Sequence, residues 1–451
     1  MEENKSENIE SKIDHIISAL DDKEVVTGIL SEMRSEDIAE ILNVVNYDEK
    51  IKIIRYLDQE KMSHVFAKTG ADTIYAVIEE LGPVYVAGIL EHMEPEEAAE
   101  ILSELEEEAV EAVLALMGKP EARKVKETLE YEEKTAGRLM STDIIVINES
   151  TTPEQAIEYI RTKEIEKTHY YIYVVNNENR FIGLIPIHKI IFAKKNIGLG
   201  NIAEKEVACL PVTMDQEQVA RLVGKYDVPA LPVIDESGDL VGEITVDDVI
   251  DVINEENTED IYRMAGTDYE EVFSESAIKV AKIRLPWLLA CIFGSLLSGT
   301  VIRKFEVTLE QAISLVAFIP VIMATGGNTG LQSCTIMVRR LAMGNLSSYN
   351  IASNIFKEIR TALILGTVCG SLLFVIAAIW RGNPFIGFIL GVSMFSAVSA
   401  SSIVGLCVPI LFKKIKIDPA VSSGPLITTL NDIIGLSIYL ILSTILIRYM
   451  K

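Results

Sequence analysis

Cysteine and histidine are scarce in this chain, with five of each among 451 residues. The cysteines are scattered, and no CxxC pair or Cys/His spacing typical of zinc ligands occurs. The sequence therefore argues against a disulfide framework and against a zinc site. The first fifteen residues also lack a basic stub followed by an apolar core, so we expect no signal peptide.

Basic residues are also few, with 41 Lys and Arg against 66 Asp and Glu and a net charge of −25. The imbalance lies before Arg284, where 28 basic and 61 acidic residues occur; from Arg284 onward there are 13 basic and 5 acidic residues. A soluble region this acidic repels nucleic acids and anionic lipid headgroups and attracts cations. We therefore expect no nucleic-acid partner.

Long apolar stretches follow Arg284, and about 20 apolar residues suffice to span a bilayer. If each stretch crosses the membrane once, the flanks and loops on the same side of the membrane as the N-terminal half hold ten basic residues. Those on the opposite side of the membrane hold five. The positive-inside rule therefore predicts a multi-pass protein of the cytoplasmic (inner) membrane, with a cytoplasmic N-terminus and an extracytoplasmic C-terminus. The five stretches are Leu285–Ile302, Gln311–Val338, Thr361–Trp380, Gly382–Phe412 and Pro419–Ile447.

The first 130 residues contain a repeat with a helical pattern. GILSEMRSEDIAEIL (Gly28–Leu42) matches GILEHMEPEEAAEIL (Gly88–Leu102) at nine of fifteen positions. Ile, Leu and Val recur at helical spacing, and Ser35 and Pro95 are typical of helix starts. The pattern predicts an all-α domain of stacked helix pairs over residues 1–130, without a visible catalytic motif.

Residues 131–254 change to alternating strand and helix signals, again as a repeat. YVVNNENRFIGLIPIHKII (Tyr173–Ile191) aligns with PVIDESGDLVGEITVDDVI (Pro232–Ile250), and Gly183 matches Gly242. Each unit predicts two β-branched strands joined by an Asn/Asp/Gly turn and followed by a helix. We therefore expect a pair of α/β domains in this region.

The polar segment 255–283 has a helical pattern and is predicted to connect the soluble region to a membrane domain over residues 284–451. Acidic residues cluster in this connector and in the paired repeats. Two carboxylates about 5 Å apart repel by roughly 3 kcal/mol, so a divalent cation could bridge such pairs. For any single acid, a solvated surface position is the alternative. The acids predicted to bind metal here are Glu255, Glu256, Glu259, Asp260, Asp418, Asp215, Glu217, Asp227, Asp247 and Asp251.

Asp432 is the only acidic residue in the last apolar stretch, PAVSSGPLITTLNDIIGLSIYLILSTILI. A carboxylate at mid-membrane costs roughly 2.5–3.5 kcal/mol on insertion scales. One interpretation is a protonated Asp, or one hydrogen-bonded to Ser, Thr and Asn side chains of neighbouring helices. The other is a cation site in a permeation path, which we favour because intramembrane acids are usually functional.

Gly424, Thr428 and Asp432 recur every four residues and therefore share one helix face, which we expect to line that path. Pro425 is predicted to loosen this helix by removing a hydrogen bond. The face offers carbonyl, hydroxyl and carboxylate oxygens, which favour Mg²⁺, Ca²⁺ or Mn²⁺ over zinc or copper.

A glycine-rich motif, PVIMATGGNTGLQS (Pro320–Ser333), interrupts the second apolar stretch. Its glycines surround Asn328, which we also expect to line the path. Either the glycines let helices pack closely, or they free backbone carbonyls toward a water-filled path. Both interpretations remain open at this point.

With these motifs the chain resembles the MgtE family of bacterial magnesium channels over essentially its whole length. The resemblance rests on YEEKTAGRLMS (Tyr131–Ser141), on PVIMATGGNTGLQS, on DPAVSSGPLITTLNDIIG (Asp418–Gly435) and on the order of domains. The paired repeats are similar to tandem CBS domains. The family implies a multi-domain fold: an all-α helical-repeat N-terminal domain, an α/β tandem CBS pair, a connecting plug helix and a five-helix transmembrane domain.

The resemblance also implies a homodimer with a pore along the dimer axis, where Asp432 would hold a hydrated Mg²⁺. Gly424 and Thr428 fall where the family contributes pore oxygens, although Gly424 could contribute only backbone. Asp418, with Glu259 and Asp260 of the plug helix, would bind a Mg²⁺ that keeps the gate shut. High cytosolic Mg²⁺ would then close the channel.

Some relatives bind ATP in the CBS pair. GEITVDD (Gly242–Asp248) resembles the adenosine-site pattern, with Thr245 and Asp248 as ribose and phosphate-side contacts. GLIPIHK of the first repeat has no acid at the matching place. The resemblance therefore implies at most one nucleotide site per subunit, and a purely structural CBS pair is the alternative.

The leading prediction is a Mg²⁺-selective channel that imports Mg²⁺ and is closed by cytosolic Mg²⁺ at acidic inter-domain sites. The alternative is an ion-coupled secondary transporter for a divalent cation (Mg²⁺ or Co²⁺), which would need a second coupling site. Asp432 is the only carboxylate in the five apolar stretches, which counts against a carrier, while Na⁺ coupling through backbone carbonyls stays open. A membrane enzyme is a third hypothesis. The apolar stretches of this chain contain no constellation of a base, a nucleophile and an orienting partner, so we expect no enzymatic activity.

Overall fold

The computed structural model describes residues 13, 15–69, 73, 77, 80–103, 105, 107–162, 168–194, 196–268, 271, 277–342, 348–422 and 424–449. Two compact units make up the chain, residues 1–254 and residues 255–451. The first unit contains short helices and two small sheets, and the second contains long helices.

Short amphipathic helices form the first part of the N-terminal unit. Their apolar residues recur three and four apart, as in Ile38, Ile41 and Leu42, and are buried in one core. Asn46 caps the third helix by accepting a hydrogen bond from Glu49 N at 3.0 Å. The helices are α1 (Lys23–Glu32), α2 (Ser35–Val44), α3 (Tyr47–Ile54), α4 (Gln59–Phe66), α5 (Pro83–Leu90), α6 (Pro95–Ser103), α7 (Glu107–Leu116) and α8 (Lys119–Leu129). The two copies of the sequence repeat correspond to α1–α2 and α5–α6, which confirms the predicted helix pairs.

Two three-stranded sheets with the same topology follow. In each sheet the first strand pairs in parallel with the second, and the second pairs antiparallel with the third. Gly183 lies opposite Val174, and Gly242 lies opposite Val233, so the predicted internal repeat is confirmed. The elements are α9 (Ala136–Leu139), β1 (Val146–Asn148), α10 (Pro153–Thr162), β2 (Tyr171–Val175), β3 (Phe181–Pro186), α11 (Ile187–Ile191), β4 (Leu210–Pro211), α12 (Gln216–Tyr226), β5 (Ala230–Ile234) and β6 (Leu240–Thr245).

The motif YEEKTAGRLMS joins the helical region to the repeats. Arg138 is buried, and its guanidinium donates to the carbonyl oxygens of Ala99 at 2.8 Å and Thr128 at 3.2 Å. Burial lowers the pKa of this guanidinium, although nearby carboxylates oppose the shift. A Cβ at Gly137 would lie within 3.0 Å of several atoms of the Tyr131 ring. The motif therefore has a packing role.

Helix α13 runs from Val246 to Ala265. The last helix of the second repeat and the start of the predicted connector are thus one continuous helix, and the predicted boundary at residue 255 falls inside it. Gly266 follows the helix with φ of 80°, a conformation that L-residues rarely adopt. Residues 269, 270 and 272–276 of the predicted connector lie outside the described residues.

Five helices of the second unit are long and apolar enough to cross a membrane, which confirms the predicted transmembrane domain. The short 3₁₀ segment Ile313–Phe318 precedes the second long helix, and Tyr439 Oη donates to the Leu315 carbonyl oxygen at 2.8 Å. The five long helices are α14 (Ala277–Lys304), α16 (Ile319–Ala342), α17 (Ser348–Arg381), α18 (Pro384–Lys414) and α19 (Gly424–Arg448), and the short helix α15 (Glu306–Gln311) lies between the first two.

Two details of these helices differ from the sequence-based expectations. Pro425 is the second residue of α19, where its missing N–H has no intrahelical partner to lose. It therefore begins the helix and does not loosen it. The third candidate span begins at Ala352 and includes Glu358, because the helix continues beyond the apolar stretch. Asp432 is thus not the only acid within the candidate spans.

Candidate functional site

One face of α19 holds the residues predicted to line a path. Gly424, Thr428 and Asp432 are each half-buried and stand one helical turn apart. Thr428 Oγ1 donates to the Gly424 carbonyl oxygen at 2.7 Å. The lone pairs of this hydroxyl therefore remain available to a ligand.

The Asp432 carboxylate has no hydrogen bond or ion pair with any residue that the structure describes. Its Oδ1 lies 3.9 Å from the position that a Cβ would occupy at Gly327 of α16. The interpretation that neighbouring Ser, Thr and Asn side chains hydrogen-bond this carboxylate therefore finds no support. Because an unpartnered carboxylate is costly in a membrane, the arrangement favours a bound cation.

The glycine motif lies within α16, which runs as a continuous helix from Ile319 to Ala342. Ser401 Oγ lies 3.1 Å from a Cβ placed at Gly326, and a Cβ at Gly330 would overlap the Asn431 amide. The glycines thus make room for side chains of α18 and α19, which favours the close-packing interpretation. Asn328 of the same motif is exposed on this unit.

Glu259 and Asp418 come together through Arg263, a residue that the sequence reasoning missed. Arg263 pairs through Nη2 with Glu259 Oε1 and through Nη1 with Asp418 Oδ2. Burial opposes the charge, but the two carboxylates outweigh it, and the pKa of the guanidinium is raised. The spacing of four residues between Glu259 and Arg263 on a predicted helix is the signal that could have found this pair.

Asp418 has a second, local role. Its Oδ1 accepts a hydrogen bond from Ala420 N at 2.9 Å, so that it caps the 3₁₀ segment Pro419–Val421 just before α19. The carboxylate is therefore held at the start of the last span by both its oxygens.

Several other predicted metal ligands have structural partners within the first unit. Asp215 and Asp227 cap the two ends of α12, the second in a left-handed conformation with φ of 54°. Glu217 forms an ion pair within the same helix, and Asp251 forms one with Lys68 at 3.0 Å. These contacts account for the side chains of Asp215, Glu217 and Asp251, whereas Asp227 takes part through its backbone N–H, which donates to the Val223 carbonyl oxygen.

The remaining predicted acids, Glu255, Glu256, Asp260 and Asp247, lie on α13. Within the described ranges, no group of three or more His, Cys, Asp or Glu side chains comes close enough to hold a metal ion. The described part of one chain thus does not assemble a multi-carboxylate site by itself, and the metal role of these acids stays a prediction.

The two residues of the predicted nucleotide site contact each other where β6 passes into α13. Thr245 Oγ1 donates to Asp248 Oδ2 at 2.5 Å, and Thr245 N donates to the same oxygen at 3.0 Å. Both side chains are half-buried. The structure thus brings the pair together, and the two hydrogen bonds from Thr245 orient the Asp248 carboxylate.

A buried polar contact between the two repeats was also missed. Tyr173 of β2 donates through Oη to Glu243 Oε2 of β6 at 2.5 Å, and His169 Nδ1 lies 3.6 Å from Glu243 Oε1. Burial and the neighbouring Glu243 raise the pKa of Tyr173 well above its usual value. Sequence periodicity gave no signal for this pairing, because the two strands belong to different sheets.

Comparison with protein families matches the chain in four segments. Residues 319–442 match a family described as a divalent cation transporter. Residues 33–134 match the MgtE intracellular N domain, and residues 136–196 and 199–255 match CBS domains.

Three relatives share the name magnesium transporter MgtE. The protein from Bacillus subtilis is 32% identical over 422 residues, 93% of this chain and 94% of its own length. The protein from Enterococcus faecalis is 37% identical over 330 residues, 73% of each chain. The protein from Thermus thermophilus is 36% identical over 335 residues, covering 73% of this chain and 74% of its own.

Two solved structures also resemble the chain. The soluble part of a magnesium transporter is 27% identical and covers 55% of this chain and 99% of its own, with a TM-score of 0.49. The cytosolic domain of the Mg²⁺ channel MgtE in complex with ATP is 28% identical and covers 51% and 95%, with a TM-score of 0.48. From the family matches, the near full-length relatives and the five membrane helices, we conclude that this chain belongs to the MgtE family of magnesium transporters and is a multi-pass membrane protein.

Proposed function

We propose that the protein is a Mg²⁺-selective channel that lets Mg²⁺ enter the cell past Asp432. The observation that carries this proposal is the half-buried Asp432 carboxylate, which lies in line with Thr428 and Gly424 and has no hydrogen-bond or ion-pair partner among the described residues. This face presents only oxygen ligands, which Mg²⁺ prefers. Since Mg²⁺ sheds water reluctantly, a few oxygens that contact its hydration shell suit it better than a closed cage.

A second copy of the chain would complete the path. In one chain Asp432 is only half-buried, and an exposed carboxylate facing lipid is costly. Pairing two copies along this face of α19 would cover both carboxylates and place them on a shared polar axis. Two facing carboxylates would attract a dication more strongly than one. We therefore propose a homodimer.

Cytosolic Mg²⁺ is proposed to close the channel. Acidic residues lie along α13, and Asp418 lies at the start of the last span. A divalent cation that bridges carboxylates of different domains or subunits would favour one arrangement of these elements over another. The excess of basic residues on one side of the membrane supports a cytoplasmic location for α13 and an extracytoplasmic C-terminus.

An adenine nucleotide is proposed to bind in the CBS pair. The solved cytosolic domain of a relative is a complex with ATP. In this chain Thr245 and Asp248 lie together at the start of α13 and would contact the ribose and the phosphate side. Binding of ATP to the purified protein, and its loss in Asp248→Ala with Asp143→Ala as an exposed-acid control, would test this site.

The channel proposal is tested by Mg²⁺ current through the reconstituted protein, with Mg²⁺ titrated on the cytoplasmic face. Asp432→Asn keeps the size of the side chain and removes its charge, so we expect at least a hundredfold loss of current. Glu127→Gln, an exposed acid of the N-terminal helices, is the control and should conduct like the wild type. Full current in Asp432→Asn would place the path elsewhere.

The same preparation separates a channel from a coupled carrier. A channel passes Mg²⁺ down its electrochemical gradient without a second ion, and its current falls as cytoplasmic Mg²⁺ rises. Slow uptake that requires an H⁺ or Na⁺ gradient would contradict the channel proposal.

A further inference from the structure

We propose that Arg263 is the resident cation of the carboxylate pair Glu259 and Asp418, and that a divalent ion occupies this pair only by displacing the guanidinium. The proposal deepens the gating part of the proposed function and rests on it for its role in transport. The competition itself is a property of the three side chains, and it can be measured without transport.

The geometry places one positive charge between two negative ones. The two terminal nitrogens of Arg263 contact one carboxylate each, Nη2 that of Glu259 and Nη1 that of Asp418. Glu259 is on the same helix α13, whereas Asp418 precedes α19, so the guanidinium fastens the end of α13 to the start of the last span. A planar guanidinium suits this task because its donors point to both carboxylates at once.

The carboxylates that would serve a metal ion are therefore already partly neutralised. A dication that approached them with the guanidinium in place would meet a positive charge within a few ångströms, which opposes binding. Removal of Arg263 would take away the positive charge that both carboxylates contact. The arginine thus sets the threshold concentration at which a divalent ion binds there.

An open cavity gives solvent access to this contact. The cavity holds about 530 Å³ and is bordered by Arg263, Asp418, Thr267, Asp268 and Trp287, among others. Six waters of a hydrated Mg²⁺ at about 30 Å³ each would occupy roughly a third of that space. A hydrated ion can therefore reach Asp418 while the guanidinium turns aside into the same cavity.

The test is Mn²⁺ binding to the full-length protein in detergent, freed of Mg²⁺, with free Mn²⁺ followed by electron paramagnetic resonance. In Arg263→Ala we expect one site to bind Mn²⁺ at least about tenfold more tightly than in the wild type. In the double variant Arg263→Ala/Asp418→Asn this gain should disappear. Unchanged or weaker binding in Arg263→Ala, or a gain that survives the second substitution, would overturn the proposal.

Chemical rescue separates competition from a structural effect. Ethylguanidinium added to Arg263→Ala should weaken Mn²⁺ binding again, whereas tetramethylammonium at the same ionic strength should not. Equal effects of the two cations would count against a specific guanidinium site. If Arg263→Ala does not fold, Arg263→Lys provides the test. Because the point charge of a lysine cannot hold both carboxylates, we expect Arg263→Lys to bind Mn²⁺ about threefold more tightly than the wild type. Wild-type Mn²⁺ affinity in Arg263→Lys would overturn the proposal.

Failure of this inference is distinguishable from failure of the channel proposal. The Mn²⁺ titration reports on Glu259, Asp418 and Arg263 and involves no transport. The current measurement on Asp432→Asn reports on the path and leaves these three side chains intact.

Discussion

Arg263 and Asp418 are 155 positions apart in the chain, yet the guanidinium of the first donates directly to the carboxylate of the second. Both side chains are about one third exposed, so solvent screens the pair and its contribution to folding stability is small. The pair matters because it connects the end of α13 to Asp418, which caps the 3₁₀ segment just before α19. The guanidinium is also the cation that the acidic pair holds when no metal is bound.

Two adjacent threonines allow a matched test of the path. Thr428 Oγ1 and Thr429 Oγ1 both donate to backbone carbonyls one turn earlier, each at 2.7 Å. Thr428 shares the face of Asp432, whereas Thr429 packs against Gly294 of α14. We expect Thr428→Val to lower Mg²⁺ current about three- to tenfold, and Thr429→Val to leave it within twofold.

The current would be measured in both variants at equal protein density in the bilayer. Loss in Thr429→Val with normal current in Thr428→Val would place the ion on the other face of α19.

Close packing of α16 against α18 predicts a large cost for a single methyl group. A Cβ at Gly405 would overlap the carbonyl oxygen of Gly330, and backbone cannot move aside as a flexible side chain can. We expect Gly405→Ala to destabilise the membrane unit by about 1–3 kcal/mol.

Gly299→Ala in α14 is the control, since a Cβ there has no neighbour within 4 Å. Thermal unfolding in detergent, followed by tryptophan fluorescence, would compare the two variants with the wild type. Equal melting temperatures in both would show that α16 and α18 are not packed this closely.

The buried Tyr173 predicts a loss of stability at alkaline pH. Burial and Glu243 raise its pKa in the folded protein, so the folded state holds the phenolic proton more tightly than the unfolded state does. The stabilisation is therefore complete below the usual value of 10.0 and decreases as the pH rises above it. Tyr173→Phe should remove this contribution and cost about 1–3 kcal/mol at neutral pH, because Glu243 loses a donor.

Hydrogen exchange of peptides from β2 and β6, compared at pH 8 and pH 10.5 after correction for intrinsic rates, would measure both effects. Tyr226→Phe, which alters an exposed phenol, is the control and should exchange like the wild type. Other half-buried tyrosines should leave a smaller pH dependence of exchange in Tyr173→Phe. A pH dependence identical to that of the wild type would contradict the role of Tyr173.

Glu358 is the second acid within the candidate spans, and it distinguishes conduction from coupled transport. Ser333 Oγ donates to Glu358 Oε1 at 2.8 Å, so the carboxylate has a structural partner. For a channel whose path passes Asp432, Glu358→Gln should conduct within twofold of the wild type and show no dependence on a proton gradient. Uptake that follows the proton gradient in the wild type and loses this dependence in Glu358→Gln would favour a coupled carrier.

Much of the architecture could be predicted because it depends on local patterns. The repeat that begins at Gly28 and Gly88, the two strand pairs around Gly183 and Gly242, and the five spans follow from hydrophobic periodicity and length, which a helix or strand expresses wherever it lies. The shared face of Thr428 and Asp432 follows from helical geometry alone. Local pattern was a poor guide where polar residues extend a helix, as at Glu358, or where a proline begins one, as at Pro425.

Composition and helical spacing were sufficient to identify the oxygen ligands on one face of the last span, the acidic region before Arg284 and the basic flanks of the spans. Which of these groups contact one another became clear from the folded chain alone. Among the described residues it gives Asp432 no partner, it turns glycines of α16 toward Ser401 and Asn431, and it places Arg263 between Glu259 and Asp418. Such contacts depend on the path of the chain between distant segments, whereas hydrophobic periodicity describes only the segment in which it occurs.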